Sequence, residues 1–229
     1  MTGVAGVPAP HARTPRIKIC CISSIHEAAV AIAHGASALG LVSHMPSGPG
    51  VVADADIAEI IATVPPPIAT FLLTSATSAE AIIAHQHRMR PTTLQLVDHL
   101  TSDLHRQLRS ALPGITLVQV VHVENDASVA YAIDIAPNVD ALLLDSGRLA
   151  APVKELGGTG RTHDWSLSRR IREKCGKPVF LAGGLHADNV AEAILTVEPF
   201  GLDLCTGVRT NGTLDAQKLQ HFLRAVRET

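Results

Sequence analysis

The chain has 229 residues, 46% of them hydrophobic and 17% charged, and its formal net charge is −2. That is enough chain for one substantial core, with no overall basic field to hold nucleic acid or an anionic membrane surface. Its apolar runs stop well short of the roughly 20 residues that a membrane span needs, so a soluble, cytoplasmic protein is expected.

Residues 1–15 are rich in Ala, Gly, Pro and Thr and lack the apolar segment of a secretory signal. They are expected to form a flexible tail ahead of a single domain over 16–229. A short apolar run followed by a longer Ala-rich stretch with helical spacing then recurs along the chain. The runs fall at 16–22, 38–43, 68–74, 92–98, 117–123, 141–146, 179–184 and 202–207, and they read as strands. The stretches between them, at 26–35, 54–64, 78–90, 102–112, 127–136, 166–175, 187–196 and 215–227, read as helices. Ser24, Ser78 and Asp126 are placed to cap helix starts, and Gly35 to end one.

Eight such units predict a closed (β/α)8 TIM barrel, an α/β fold of on the order of 200–250 residues. An open doubly wound sheet is the alternative. Near-continuous apolar strands favour a parallel sheet buried on both faces. In such a barrel the working groups sit where strands end at the C-terminal face. The period of two puts Lys18 and Cys20 on one face of the first strand, with Ile17, Ile19 and Cys21 on the other. In the sixth strand Ala141, Leu143 and Asp145 share a face, as do Asp203, Cys205 and Gly207 in the eighth.

A thiol and a carboxylate ending buried strands can serve as proton acceptor and proton donor. Each has a plainer reading. Cysteine is often just a small buried hydrophobe, and that reading suits Cys21, Cys175 and Cys205 best. Asp145, at the end of an apolar run, needs a partner or a purpose, and an ion pair with Lys18 would supply one. The four cysteines show no C-x-x-C pair and no histidine at zinc-site spacing, so reduced thiols are expected, with no disulfide, metal or cofactor. His85, His87, His105 and His221 read as solvated, while His44 and His122 lie near strand ends.

Three glycine clusters follow the late strands: Gly157-Gly158-Thr159-Gly160, Gly183-Gly184 and Thr206-Gly207. Glycine lets backbone N–H groups approach an anion closely, and barrels of this kind often hold phosphate at these loops. Ordinary strand-to-helix turns are the alternative.

Lys18-Ile19-Cys20, Leu143-Leu144-Asp145-Ser146, Gly157-Gly158-Thr159-Gly160 with Asp164-Trp165, Leu181-Ala182-Gly183-Gly184-Leu185 with Asn189-Val190, and Asp203 before Thr206-Gly207-Val208 form an ordered set. As a set, from about residue 16 to the C-terminus, it resembles the phosphoribosylanthranilate isomerase family. The resemblance implies a cofactor-independent Amadori rearrangement in tryptophan biosynthesis, by a monomer or homodimer acting on a small phosphoribosyl substrate, with no nucleic acid or membrane partner. It assigns Asp145 as general acid and Cys20 as general base. It assigns the 5-phosphate to Gly157, Gly158, Thr159, Gly160, Gly183, Gly184, Thr206 and Gly207; Lys18, Asp203 and Arg209 are read as further substrate contacts.

The chain departs from the family pattern in four places. Gly50 stands where the family has an arginine for the anthranilate carboxylate, and Cys21 where it has glycine. Val97-Asp98 replaces His-Gly, and Arg209 replaces glutamate. Arg209 or Arg148 is expected to take over the carboxylate. A paralogue acting on another phosphoribosyl amine, or a non-catalytic phosphosugar-binding barrel, would fit the same motifs.

Overall fold

Strand and helix alternate eight times, and the eight parallel strands close on themselves in the order in which they occur. The computed structural model describes residues 14–148, 155–157 and 160–229; most of the expected tail, and Gly158 and Thr159, lie outside them. The strands are β1 Arg16–Ile19, β2 Ala38–Val42, β3 Ala69–Thr74 and β4 Thr93–Leu96. They continue with β5 Thr116–His122, β6 Ala141–Asp145, β7 Val179–Leu181 and β8 Gly201–Leu204. Closure is made by β8 pairing with β1, from Arg16 opposite Gly201 to Ile19 opposite Leu204.

Outside the strands run α1 Ile25–Ala33, α2 Asp54–Thr63, α3 Ala79–Met89 and α4 Ser102–Ala111. The ring is completed by α5 Asp126–Ile135, α6 Trp165–Cys175, α7 Val190–Val197 and α8 Ala216–Arg227. Alternation along each strand divides the core into two layers. Outward residues such as Ile19, Leu39, Leu72, Leu142, Leu144 and Leu202 pack with Ile57, Ile82, Leu108, Ile171 and Phe222 of the helices. Inward residues such as Val42, Leu73, Val120, Leu143 and Phe180 fill the barrel. Each fully buried leucine contributes about 1.5–3 kcal/mol, so these layers hold the rim on which the polar groups are mounted.

Several boundaries differ from the sequence reading. β1, β4, β7 and β8 stop two or three residues before their apolar runs do; after β1 and β4 the rim residues 20–22 and 97–98 stay buried past the end of the ladder, whereas after β7 and β8 the chain opens into the glycine loops. The first helical turn of α5 is capped by Asn125, whose Oδ1 accepts from the Ala127 N–H at 2.9 Å, and not by Asp126. Helix α7 begins at Val190 instead of 187. The Asn189 side chain accepts from His186 N and donates to Gly184 O, which holds 186–189 as a turn.

A short hairpin of β9 Arg209–Thr210 and β10 Thr213–Leu214 precedes α8 and was not expected. His105 is fully buried, not solvated, because its Nε2 meets Gln119 Oε1 at 2.8 Å between α4 and β5. Among the described residues no helix is long and apolar enough to cross a membrane, and no cluster of three or more His, Cys, Asp or Glu side chains could hold a metal ion.

Candidate active site

Cys20 lies one residue beyond β1, where its N–H donates to Leu204 O at 2.7 Å. Its side chain faces the barrel interior together with Lys18, as alternation requires. A Cβ built on Gly40 of β2 would lie 2.9 Å from both Cys20 Sγ and Lys18 Nζ. Glycine there lets thiol and ammonium meet with no side chain between them. The ammonium is fully buried, 2.8 Å from Asp203 Oδ1 and 5.3 Å from the centroid of the Phe71 ring.

Burial alone would lower the Lys18 pKa, but the charges of Asp203 and Cys20 outweigh it and the lysine stays protonated. The Asp203 carboxyl is driven up by burial, and the ammonium only partly offsets this. For Cys20, the neighbouring Cys21 thiol and then the Lys18 charge hold the pKa below the ordinary thiol value against the upward push of burial. A thiol so placed is biased toward thiolate, the form that accepts a proton.

Asp145 closes β6 on the inward face, following Ala141 and Leu143. Its Oδ1 accepts from Ser146 N at 2.7 Å. The alternative reading of Asp145, an ion pair with Lys18, is not what forms, because Lys18 is turned to Asp203 across the β1–β8 seam. Gly157, at φ +119°, passes so close that any side chain there would strike the Asp145 carboxylate. Gly183, at φ +84°, would bring a Cβ to 3.1 Å from Asp145 Oδ1.

One cavity at the C-terminal mouth is lined by Cys20, Asp145 and Asp203 together with Gly160, Gly183, Gly184, Thr206 and Gly207. Lys18 lies beneath it and Gly157 against Asp145. Six lining residues were not named as site residues from the sequence: Leu73, Gln95, Leu156, Ala182, Leu185 and Cys205. The shared face with Asp203 already pointed to Cys205. Gln95 alternates with outward-facing Leu94 and Leu96 and so faces inward, where its buried Oε1 has no protein partner. A separate cavity of about 210 Å³ lies between the β4 and β5 loops, lined by His99, His122, Glu124 and Tyr131 among others. His122 is inward-facing beside Asp145 in register, and its Nε2 donates to Val97 O at 2.9 Å.

Arg209 is not turned to the mouth. Its guanidinium is buried, with Nη1 and Nη2 donating to Glu27 Oε1 and Oε2 at 3.0 and 3.1 Å. Nη2 also donates to the carbonyls of Cys20 and Cys21, at 3.2 and 2.5 Å, and Nη1 to Gly212 O at 2.8 Å. Arg209 is therefore a clamp on the turn that carries Cys20. Its hydrogen bonds run to Glu27 and to backbone carbonyls, and it does not line the cavity where a substrate contact was read from the sequence.

Cys21, read as outward-facing, turns inward because its backbone is left-handed, at φ +63°. Its Sγ lies 2.6 Å from Cys205 Sγ and 3.7 Å from Pro49 O. A Cβ on Gly50 would come within 2.5 Å of Cys21 Cβ, so position 50 has no room for a side chain while Cys21 stands there.

A closed (β/α)8 barrel with a thiol, a carboxylate and glycine loops around one C-terminal cavity is the architecture of a small-molecule enzyme. The family model that matches residues 17–225 describes N-(5'-phosphoribosyl)anthranilate (PRA) isomerase. The N-(5'-phosphoribosyl)anthranilate isomerase 2 of Methanosarcina mazei is 36% identical over 210 residues, covering 91% of this chain and 92% of that protein. The phosphoribosyl anthranilate isomerase of Thermotoga maritima superposes with a TM-score of 0.80 at 26% identity, over 94% of this chain and all of the other. A further isomerase structure, at TM-score 0.78 and 24% identity over 94% of this chain and all of the other, is a complex with reduced 1-(o-carboxyphenylamino)-1-deoxyribulose 5-phosphate. The chain belongs to the N-(5'-phosphoribosyl)anthranilate isomerase family.

Proposed function

We propose that this protein catalyses the Amadori rearrangement of N-(5'-phosphoribosyl)anthranilate to 1-(2-carboxyphenylamino)-1-deoxyribulose 5-phosphate, with Asp145 as general acid and Cys20 as general base. The observation that carries the reading is that Cys20, Asp145 and the late glycine loops line one cavity in a member of this family. In the reaction, Asp145 protonates the ribose ring oxygen while the nitrogen lone pair expels it from C1, giving an open-chain Schiff base. The Cys20 thiolate takes the proton from C2, the electron pair of that bond forms a C1=C2 double bond, and the C1=N π pair returns to the nitrogen, giving an enolamine. The enol O–H then loses its proton as C1 gains one, which produces the ketone with no net gain or loss of protons.

Lys18 supports the step by favouring the thiolate of Cys20, and Asp203 keeps Lys18 in position. Gly160, Gly183, Gly184, Thr206 and Gly207 bind the 5-phosphate, holding C1 and C2 between the two groups. The Oε1 of Gln95 accepts from a substrate hydroxyl. With Arg209 engaged by Glu27, Arg148, exposed at the mouth beyond β6, is the cation for the aryl carboxylate.

The test follows the loss of anthranilate-type fluorescence on adding freshly generated phosphoribosylanthranilate. Asp145→Asn and Cys20→Ser are each expected to lower turnover by about 10²–10⁴-fold with an unchanged melting temperature. Near-normal rates in both variants would overturn the assignment. The crowding of Gly50 by Cys21 favours a second reading, in which the same centre works on a different phosphoribosyl amine. Tight phosphate-ester binding without turnover of the anthranilate substrate would select it.

A further inference from the structure

The pair of sulfurs at the β1–β8 seam is not used by the proton transfers above. Cys21 Sγ and Cys205 Sγ are 2.6 Å apart, well inside the contact distance of two sulfur atoms and about 0.6 Å longer than a disulfide bond of roughly 2.04 Å. The two side chains point at each other from adjacent strand ends, because Cys21 is in the left-handed conformation and Cys205 follows β8 directly. Cys205 is half-buried and lines the cavity, which gives it access to solvent, whereas Cys21 is enclosed under Pro49 and Gly50.

We propose that Cys21 and Cys205 form a reversible disulfide at the mouth of the barrel, and that closing it switches off the Cys20 centre. The oxidant is a low-molecular-weight disulfide, RSSR. Cys205 as thiolate attacks one sulfur, the S–S bond of the reagent breaks, and RS⁻ leaves a mixed disulfide on Cys205. Cys21 then gives up its proton and attacks Cys205 Sγ, releasing a second RS⁻. The protons of the two protein thiols end on the two released thiols. The protein pair is oxidised by two electrons and RSSR is reduced to two RSH.

Two consequences bear on Cys20. Cys21 is its chain neighbour and the main group favouring its thiolate, and oxidation removes the S–H that provides this. The bond also fixes the turn after Cys20 to the turn Thr206–Val208, which lines the phosphate end of the cavity. The loss of activity rests on the function proposed above; formation of the disulfide does not.

The experiment equilibrates the purified protein with bis(2-hydroxyethyl) disulfide and maps its disulfides by mass spectrometry of unreduced peptides. Isomerase turnover is measured before and after, and again after dithiothreitol. A Cys21–Cys205 linkage with an at least tenfold lower kcat/KM, restored by dithiothreitol, is the expected result. In Cys21→Gly and in Cys205→Ala, the ratio of oxidised to reduced activity should stay near one. A linkage that includes Cys20, or no linkage at all, overturns the proposal, and so does the Cys21–Cys205 linkage with unchanged kcat/KM. A reduced protein that forms the linkage but never turns over phosphoribosylanthranilate fails the proposed function instead, and the disulfide stands.

Discussion

Two buried ion pairs join the first strand region to the last, and they have opposite characters. Inside the barrel, Lys18 has one ionic partner, Asp203, and sits against the Cys20 thiol and the Phe71 ring. On the outer shoulder, Glu27 of α1 receives both Nη groups of Arg209, the Ser23 N–H at 3.0 Å and the Leu214 N–H at 2.8 Å. Arg209 spends its other bonds on three backbone carbonyls. A charge whose Nη groups are engaged by a carboxylate and by backbone carbonyls is part of the scaffold, whereas one left beside a thiol and a cavity acts on whatever enters. Residue type alone does not separate these roles, which is why Arg209 looked like a substrate ligand.

The sharpest way to break the contrast is Lys18→Met. It leaves Asp203 buried without its cation and removes the charge that favours the Cys20 thiolate. Turnover is expected to fall by about 10²-fold or more, and the rising limb of kcat/KM against pH to move to higher pH, read from a pH–rate profile. An unmoved limb would separate Lys18 from the thiol.

Glu27→Gln should do the reverse. It is expected to cost about 3–5 kcal/mol of stability in a denaturant titration while leaving that limb in place. Burial pushes the Glu27 carboxyl up, but Arg209 and the Leu214 and Ser23 N–H groups hold it below its ordinary value. Its contribution is therefore complete at neutral pH, and is lost only as pH falls from the ordinary carboxylate range through the depressed folded value. A wild-type loss centred near neutrality would contradict this pairing.

The smallest effect concerns a half-buried histidine whose hydrogen-bond partner is a hydroxyl. His163 bonds Ser168 Oγ at 2.6 Å, and burial, against the pull of Asp145, lowers its pKa to about 4. The unfolded chain binds the extra proton first, at about 6.5, so stability should decline as pH drops from about 6.5 to about 4. The loss is about 1–3 kcal/mol, allowing for the partial exposure of the ring. Thermal melts across that range should show this, and His163→Phe should flatten the trend.

Much of the architecture was legible because it depends on short periods. Eight apolar runs alternating with eight amphipathic stretches gave the closed barrel, and the period of two placed Lys18, Cys20, Asp145, Asp203 and Cys205 on the inner face. Ends were less legible. The apolar run through Cys21 continues past the ladder, and nothing in a string of letters announces that Cys21 adopts φ +63°. Gln95 could have been read inward from its alternation with Leu94 and Leu96. The β9–β10 hairpin is too short to show a period.

By itself, then, the sequence determined the fold class, the inward set of residues and the family motifs, since each rests on the local spacing of side chains along one strand or helix. Only the tertiary structure decided partnership: Lys18 with Asp203 instead of Asp145, Arg209 with Glu27 instead of substrate, and Cys21 with Cys205. Those pairs join residues more than 180 positions apart. They exist because β8 closes against β1, and an ion or thiol then takes whichever partner that closure brings within reach.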